Sequence, residues 1–123
     1  MNIEPQEFIN SVIKAYAKTK LVPSTRRMFR IKDGNKCACA MGVLYCEENG
    51  IPTHNPYNYV EDEIVNKEMW EWAKKKFGSD FVSSFWRGFD GTGKLVVDTD
   101  VYDLANKVRE KVVTLYNKGE LYG

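Results

Sequence analysis

Apolar positions recur every three to four residues along five stretches of the chain, and the breaks between them fall at glycine, proline and asparagine. In the first stretch Phe8, Ile9, Val12, Ile13, Tyr16 and Ala17 share one face, the spacing of an amphipathic helix. Pro5 is preset for a first helical turn and Pro23 forbids a long continuation, so the pattern predicts a helix over about 5–19. The segment Lys36–Gly50 holds all three cysteines, Cys37, Cys39 and Cys46, and places Ala38, Gly42 and Cys46 four apart. Small side chains at that interval make a narrow stripe along which another backbone can approach, so the segment reads as a buried central helix ending at Asn49-Gly50, with residues 35–38 open to strand or helix.

Between these two stretches, Ser24–Lys32 alternates weakly with period two, and Asp33-Gly34 is a turn signal, which predicts a short hairpin returning through Asn35 to Cys39. Thr53–Tyr59 fits neither helix nor strand and reads as a structured loop. From Val60 to about Phe77, Val65, Met69, Trp72 and Ala73 return at helical spacing, acids come first and Lys74, Lys75 and Lys76 last, and Gly78 closes the run. Ser79 or Asp80 is the expected cap of a helix whose Phe81, Val82, Phe85, Trp86 and Phe89 form the most aromatic face, assigned to the core. Leu95-Val96-Val97 is a marginal strand. Asp98, Thr99 and Asp100 offer caps for a last helix carrying Val101, Leu104, Ala105, Val108, Val112 and Leu115, stopped by Gly119. The expected fold is mainly α with minor β: a single domain over residues 1–123, with four or five helices and a small two- or three-stranded antiparallel element from residues near 26–38 and 94–97.

Composition narrows the class. At 123 residues, 43% hydrophobic, 13% aromatic and 28% charged, the chain can bury a core of its own and is not a disordered segment. No apolar run approaches the roughly 18 residues that cross a bilayer, and Met1–Pro5 lacks the basic and apolar features of a signal peptide, so the expectation is a cytoplasmic protein. The net charge of +1 excludes an indiscriminate polyanion binder but conceals an asymmetry: Lys14–Lys36 holds eight bases and one acid, Glu47–Glu71 seven acids and one base. Two oppositely charged faces that partly pair account for this; a polar partner on the basic side is the sharper alternative.

Each candidate site has a competing explanation. Cys37, Cys39, Cys46 and His54 have the ligand types of zinc, but one residue between the first two cysteines is too few for a turn that aims both sulfurs inward, and no metal or cofactor is assigned. Cys37 or Cys39 near a helix start is a candidate nucleophile; the chain's one histidine, His54, lies beyond the same helix, roughly 15–20 Å away at about 1.5 Å per residue. Gly88–Lys94 matches the glycine and lysine positions of a phosphate loop, yet Leu95 stands where a hydroxyl is required. Asp98, Thr99, Asp100 and Asp103 lack the glycine and glutamate of a calcium loop. Arg26, Arg27, Arg30, Lys32 and Lys36 form the candidate nucleic-acid or polyanion site, with Phe29 and Tyr16 for stacking. His54, Tyr57, Tyr59 and Trp70 form the candidate protein-interaction site, because Trp70 lies off the apolar stripe of its helix.

The run Cys39-Ala40-Met41-Gly42-Val43-Leu44, followed by a Trp-rich helix and a final amphipathic helix, resembles a class of small, uncharacterised bacterial and phage proteins built around a Cys-Ala-x-Gly helix. The resemblance implies a helical fold and a prokaryotic or viral source, and assigns no activity to any residue. The leading expectation is an intracellular, non-enzymatic binding or interaction protein of phage or mobile-element origin, acting on a protein partner or on itself. The alternatives are a nucleic-acid-binding protein using residues 26–36 and a cysteine-dependent enzyme using Cys37 or Cys39.

Overall fold

The structure, a computed structural model, describes residues 3–24, 29–32, 35–50, 63–91 and 98–123, with backbone alone at 29–32, 35 and 63–66. Its described elements are α1 (Pro5–Thr19), β1 (Val22–Pro23), β2 (Phe29–Lys32), β3 (Asn35–Ala38), α2 (Ala40–Asn49), α3 (Glu63–Phe77), α4 (Ser79–Asp90) and α5 (Thr99–Asn117). The described residues are mainly helical, with one small sheet. The Asp33-Gly34 turn, the 53–59 loop and the extended run at 94–97 lie outside the described residues.

Local chemistry sets the helix ends. The Glu4 carboxylate caps α1, accepting from the backbone N–H groups of Gln6 and Glu7 at 3.1 and 2.6 Å, with Pro5 in the first turn. Asn49 ends α2 because Gly50 adopts a φ of 62° and returns its N–H to the Cys46 carbonyl. Gly78 does two jobs: its N–H closes α3 on the Lys74 carbonyl at 2.8 Å, and its own carbonyl accepts the first bond of α4 from Val82 at 3.1 Å. At a φ of 91° only glycine is at ease there, so Gly78, and neither Ser79 nor Asp80, caps α4. Asp98 caps α5 through bonds from Asp100 and Val101 at 3.1 and 3.2 Å.

The sheet order is β1-β3-β2. β2 runs antiparallel to β3, with Phe29 opposite Ala38 and Lys32 opposite Asn35, whereas β1 runs parallel to it, with Val22 opposite Cys37. The sheet is therefore mixed, which corrects the expectation of an antiparallel element. Its described third strand is Val22–Pro23 and is too short to leave a period-two trace. Pro23 is tolerated because β1 is an edge strand, where a missing N–H breaks no ladder on the open side.

The core lies among all five described helices, with Met69 and Ala73 as the fully buried contribution of α3. Val12, Tyr16, Val43, Phe85, Phe89 and Val108 are all at most 1% exposed. Phe77, Phe81, Phe85 and Phe89 stack in a file with ring centroids 5.0, 5.9 and 6.1 Å apart, and Phe8 of α1 meets Phe77, Phe81 and Phe85 edge-on. The Tyr16 hydroxyl, buried in the same core, donates to the Ala38 carbonyl at 2.7 Å and so ties α1 to the end of β3. Beyond α5, Gly119 and Glu120 close a two-bond C-terminal turn on Tyr116 and Leu115, which swings Leu121 into the core and lets the Tyr122 hydroxyl donate to Leu21 at 2.6 Å. Among the described residues no helix is long and apolar enough to cross a membrane.

Candidate functional site

The thiols are interior. Cys37 lies in β3, Cys39 is the residue before α2, and Cys46 is within α2; they are 3%, 6% and 1% exposed. Cys39 occupies the position where a helix start lowers a thiol's pKa, and the N–H groups of Gly42 and Met41 do pull it down. Burial outweighs them and pushes it up to about 11. Cys46 is pushed up to about 12, by burial first and then by the neighbouring Cys39. At both sulfurs burial is thus the largest influence and favours the protonated thiol. Among the described residues no three cysteine, histidine or acidic side chains converge in a manner that could hold a metal ion. His54 lies outside those residues.

The basic segment is only partly in view. Arg26 and Arg27 lie outside the described residues, and Arg30 and Lys32 are placed by backbone on β2, opposite Cys37 and Asn35. Lys36 pairs opposite Ile31, so by register it belongs to the other face of the sheet from the Arg30 and Lys32 positions. The opposing charge runs do meet: Lys18 pairs with Glu47 at 3.3 Å, joining α1 to α2. Of the glycine run at 88–94, Gly88 and Gly91 have structural duties, and residues 92–94 lie outside the described residues. Gly88 is buried where α4 crosses α5, and a Cβ there would approach the Ala105 Cβ to 2.8 Å and the Tyr102 carbonyl oxygen more closely still. Gly91 caps α4 at a φ of 78°. Of the calcium-type candidates, Asp98 is engaged as the α5 cap.

Of the protein-interaction residues, His54, Tyr57 and Tyr59 lie outside the described residues, and Trp70 stands on α3. Its partner is Trp86 of α4, which meets it edge-on with centroids 6.2 Å apart and planes at 88°. Trp86 is 39% exposed, which corrects its assignment to the core. The geometry of the helix explains the difference: at about 100° per residue Trp86 lies about 140° round from Phe81, past the edge of the stripe made by Phe81, Phe85 and Phe89. The two indoles flank a groove of about 410 Å³. Lys67, Trp70, Glu71 and Lys74 line it from α3, at the spacing that puts side chains on one helix face, and Val82, Ser83, Trp86 and Arg87 line it from α4. The Arg87 guanidinium lies 5.7 Å over the Trp86 ring and donates to the Ser83 carbonyl at 3.2 Å and to the Ser83 hydroxyl, which holds it in place.

This groove is the feature sequence reasoning half found: Trp70's position off its stripe was legible, but Trp86's role depends on how α3 and α4 pack. In comparisons with family models, curated proteins and solved structures, nothing matches this chain.

Proposed function

We propose that this chain is a non-enzymatic binding domain that takes a protein partner on the α3–α4 face. One observation carries the reading: a large, 39% exposed Trp86 is braced by Trp70 and Arg87 at the side of an open groove. Tryptophan and arginine are the side chains that most often dominate binding at interfaces. Covering the open part of the Trp86 ring is worth on the order of 2 kcal/mol at about 25 cal/mol per Å². The non-enzymatic part is supported by the burial of both candidate nucleophiles, Cys37 and Cys39, at 3% and 6% exposed, and by the rise of the Cys39 thiol to about 11.

A two-dimensional NMR titration with small apolar probes, phenol and tert-butanol, tests this. The largest shifts are expected at the Trp70 and Trp86 indole N–H signals and at the backbone around them. Shifts concentrated elsewhere, or none at concentrations that perturb exposed tryptophan in other proteins, would refute it.

A further inference from the structure

Two lysines that flank α2 differ in their commitments from the cations that line the groove. Lys18 and Lys76 are committed, to Glu47 and Glu48, and each joins α2 to another helix. Lys67, Lys74 and Arg87 have no carboxylate at ion-pair distance among the described residues, and all three line the Trp70–Trp86 groove. Glu71 is the acid among the groove's lining residues, leaving an excess of two positive charges around an apolar notch. Arg87 is already fixed by Ser83 and stacked on Trp86, so its remaining N–H groups are presented without further ordering.

The notch itself selects among anionic partners. The two indoles meet edge to face at 88°, so their planes form a corner and not two parallel platforms, and the Arg87 guanidinium lies over the Trp86 ring. Single-stranded nucleic acid is held by rings on which successive bases stack, and this edge-to-face pair offers no such ladder. It offers a corner that one bulky apolar side chain can fill, with cations on both helices to meet acids on either side of that anchor.

Resting on the binding-domain reading above, we infer that the groove's occupant is an acidic peptide segment of a partner protein carrying one bulky apolar anchor between its carboxylates. The anchor sits against Trp70 and Trp86, and the flanking carboxylates meet Lys67, Lys74 and Arg87.

The test titrates the full chain with a terminally blocked peptide in which one phenylalanine is flanked by aspartates and glutamates, followed by tryptophan fluorescence and the indole N–H signals. Three comparison probes are the same peptide with lysines for its acids, the same peptide with alanine for its phenylalanine, and oligothymidylate. The acidic phenylalanine peptide is expected to bind at least tenfold more tightly than the other three, and more weakly as salt is raised, because exposed pairs are screened. In a Lys67→Glu, Lys74→Glu double variant, checked for an unchanged unfolding midpoint, affinity is expected to fall about tenfold, since each exposed pair is worth up to a few-fold and reversal adds repulsion. Equal binding of the lysine peptide, tighter binding of oligothymidylate, or an unchanged affinity in the double variant would overturn the inference. If phenol still moves the two indole signals while the acidic peptide does not, the occupant is wrong and the surface reading survives; if neither probe moves them, both fall.

Discussion

Replacing Gly88 with alanine sets two effects of known size against each other. In an exposed helix the change would stabilise by about 1 kcal/mol through backbone entropy alone. At Gly88 the added Cβ would lie 2.8 Å from the Ala105 Cβ and closer to the Tyr102 carbonyl oxygen, both on α5. Carbon atoms rest at about 3.5–4.0 Å, so α4 and α5 must part by roughly 1 Å, and overpacking of this kind costs about 1–3 kcal/mol. Because one of the two obstacles is backbone, no side-chain rotation relieves it. The net expectation is a loss of up to about 2 kcal/mol, read as a lowered urea midpoint at unchanged m-value. Adding Ala105→Gly removes the methyl contact and leaves the carbonyl contact, so the double variant is expected to remain less stable than the parent. A Gly88→Ala chain that gains stability would refute the close crossing of α4 on α5, and with it the position from which α4 presents Trp86.

Other consequences are as direct. Cys39 and Cys46 keep their protons in the folded state up to about 11 and about 12, whereas the unfolded chain loses them near 9. The folded state then binds more protons, so stability is expected to be flat below about pH 8 and to fall as pH rises beyond 9, by up to about 1.4 kcal/mol per pH unit for each thiol. Denaturant titrations at pH 7, 9 and 10 check this, and a Cys39→Ala, Cys46→Ala variant should flatten the fall. Iodoacetamide is expected to label Cys39 and Cys46 only as fast as the chain opens; labelling of the native state at the rate of a free thiol would contradict their burial. Leu121→Ala should cost about 2–5 kcal/mol by emptying a site that is 2% exposed, and Tyr122→Phe about 0.5–1.5 kcal/mol by removing the bond to Leu21, both measured by thermal or urea unfolding.

The parts of this fold legible in the sequence are those fixed by neighbours along the chain. The periodicity of Phe8 to Tyr16 with Pro5 in front places α1, Asn49-Gly50 ends α2, and Asp98 caps α5. The small, thiol-rich run announces an interior segment, and Cys37, Cys39 and Cys46 are all buried. What escapes the sequence depends on contacts between distant segments. Val22–Pro23 is a strand only because β3 lies beside it in parallel. Gly78 takes the capping position from Ser79 and Asp80 because two helices must turn on one residue, a demand of packing and not of side-chain propensity. Trp86 reads as core on its own helix, and its meeting with Trp70 becomes visible only when α3 and α4 are set side by side.

The central claim, that Trp86 anchors a binding surface, is tested most directly by urea unfolding of the parent chain and of Trp86→Ala, each with and without the acidic phenylalanine peptide. With peptide at ten times its dissociation constant, the parent should gain about 1.4 kcal/mol. Trp86→Ala should lose about 1–3 kcal/mol when the peptide is absent, because the covered part of the side chain packs on Trp70 and Arg87, and should gain almost nothing when it is present. A variant that the peptide stabilises as much as the parent, or a parent that the peptide does not stabilise, would contradict this assignment.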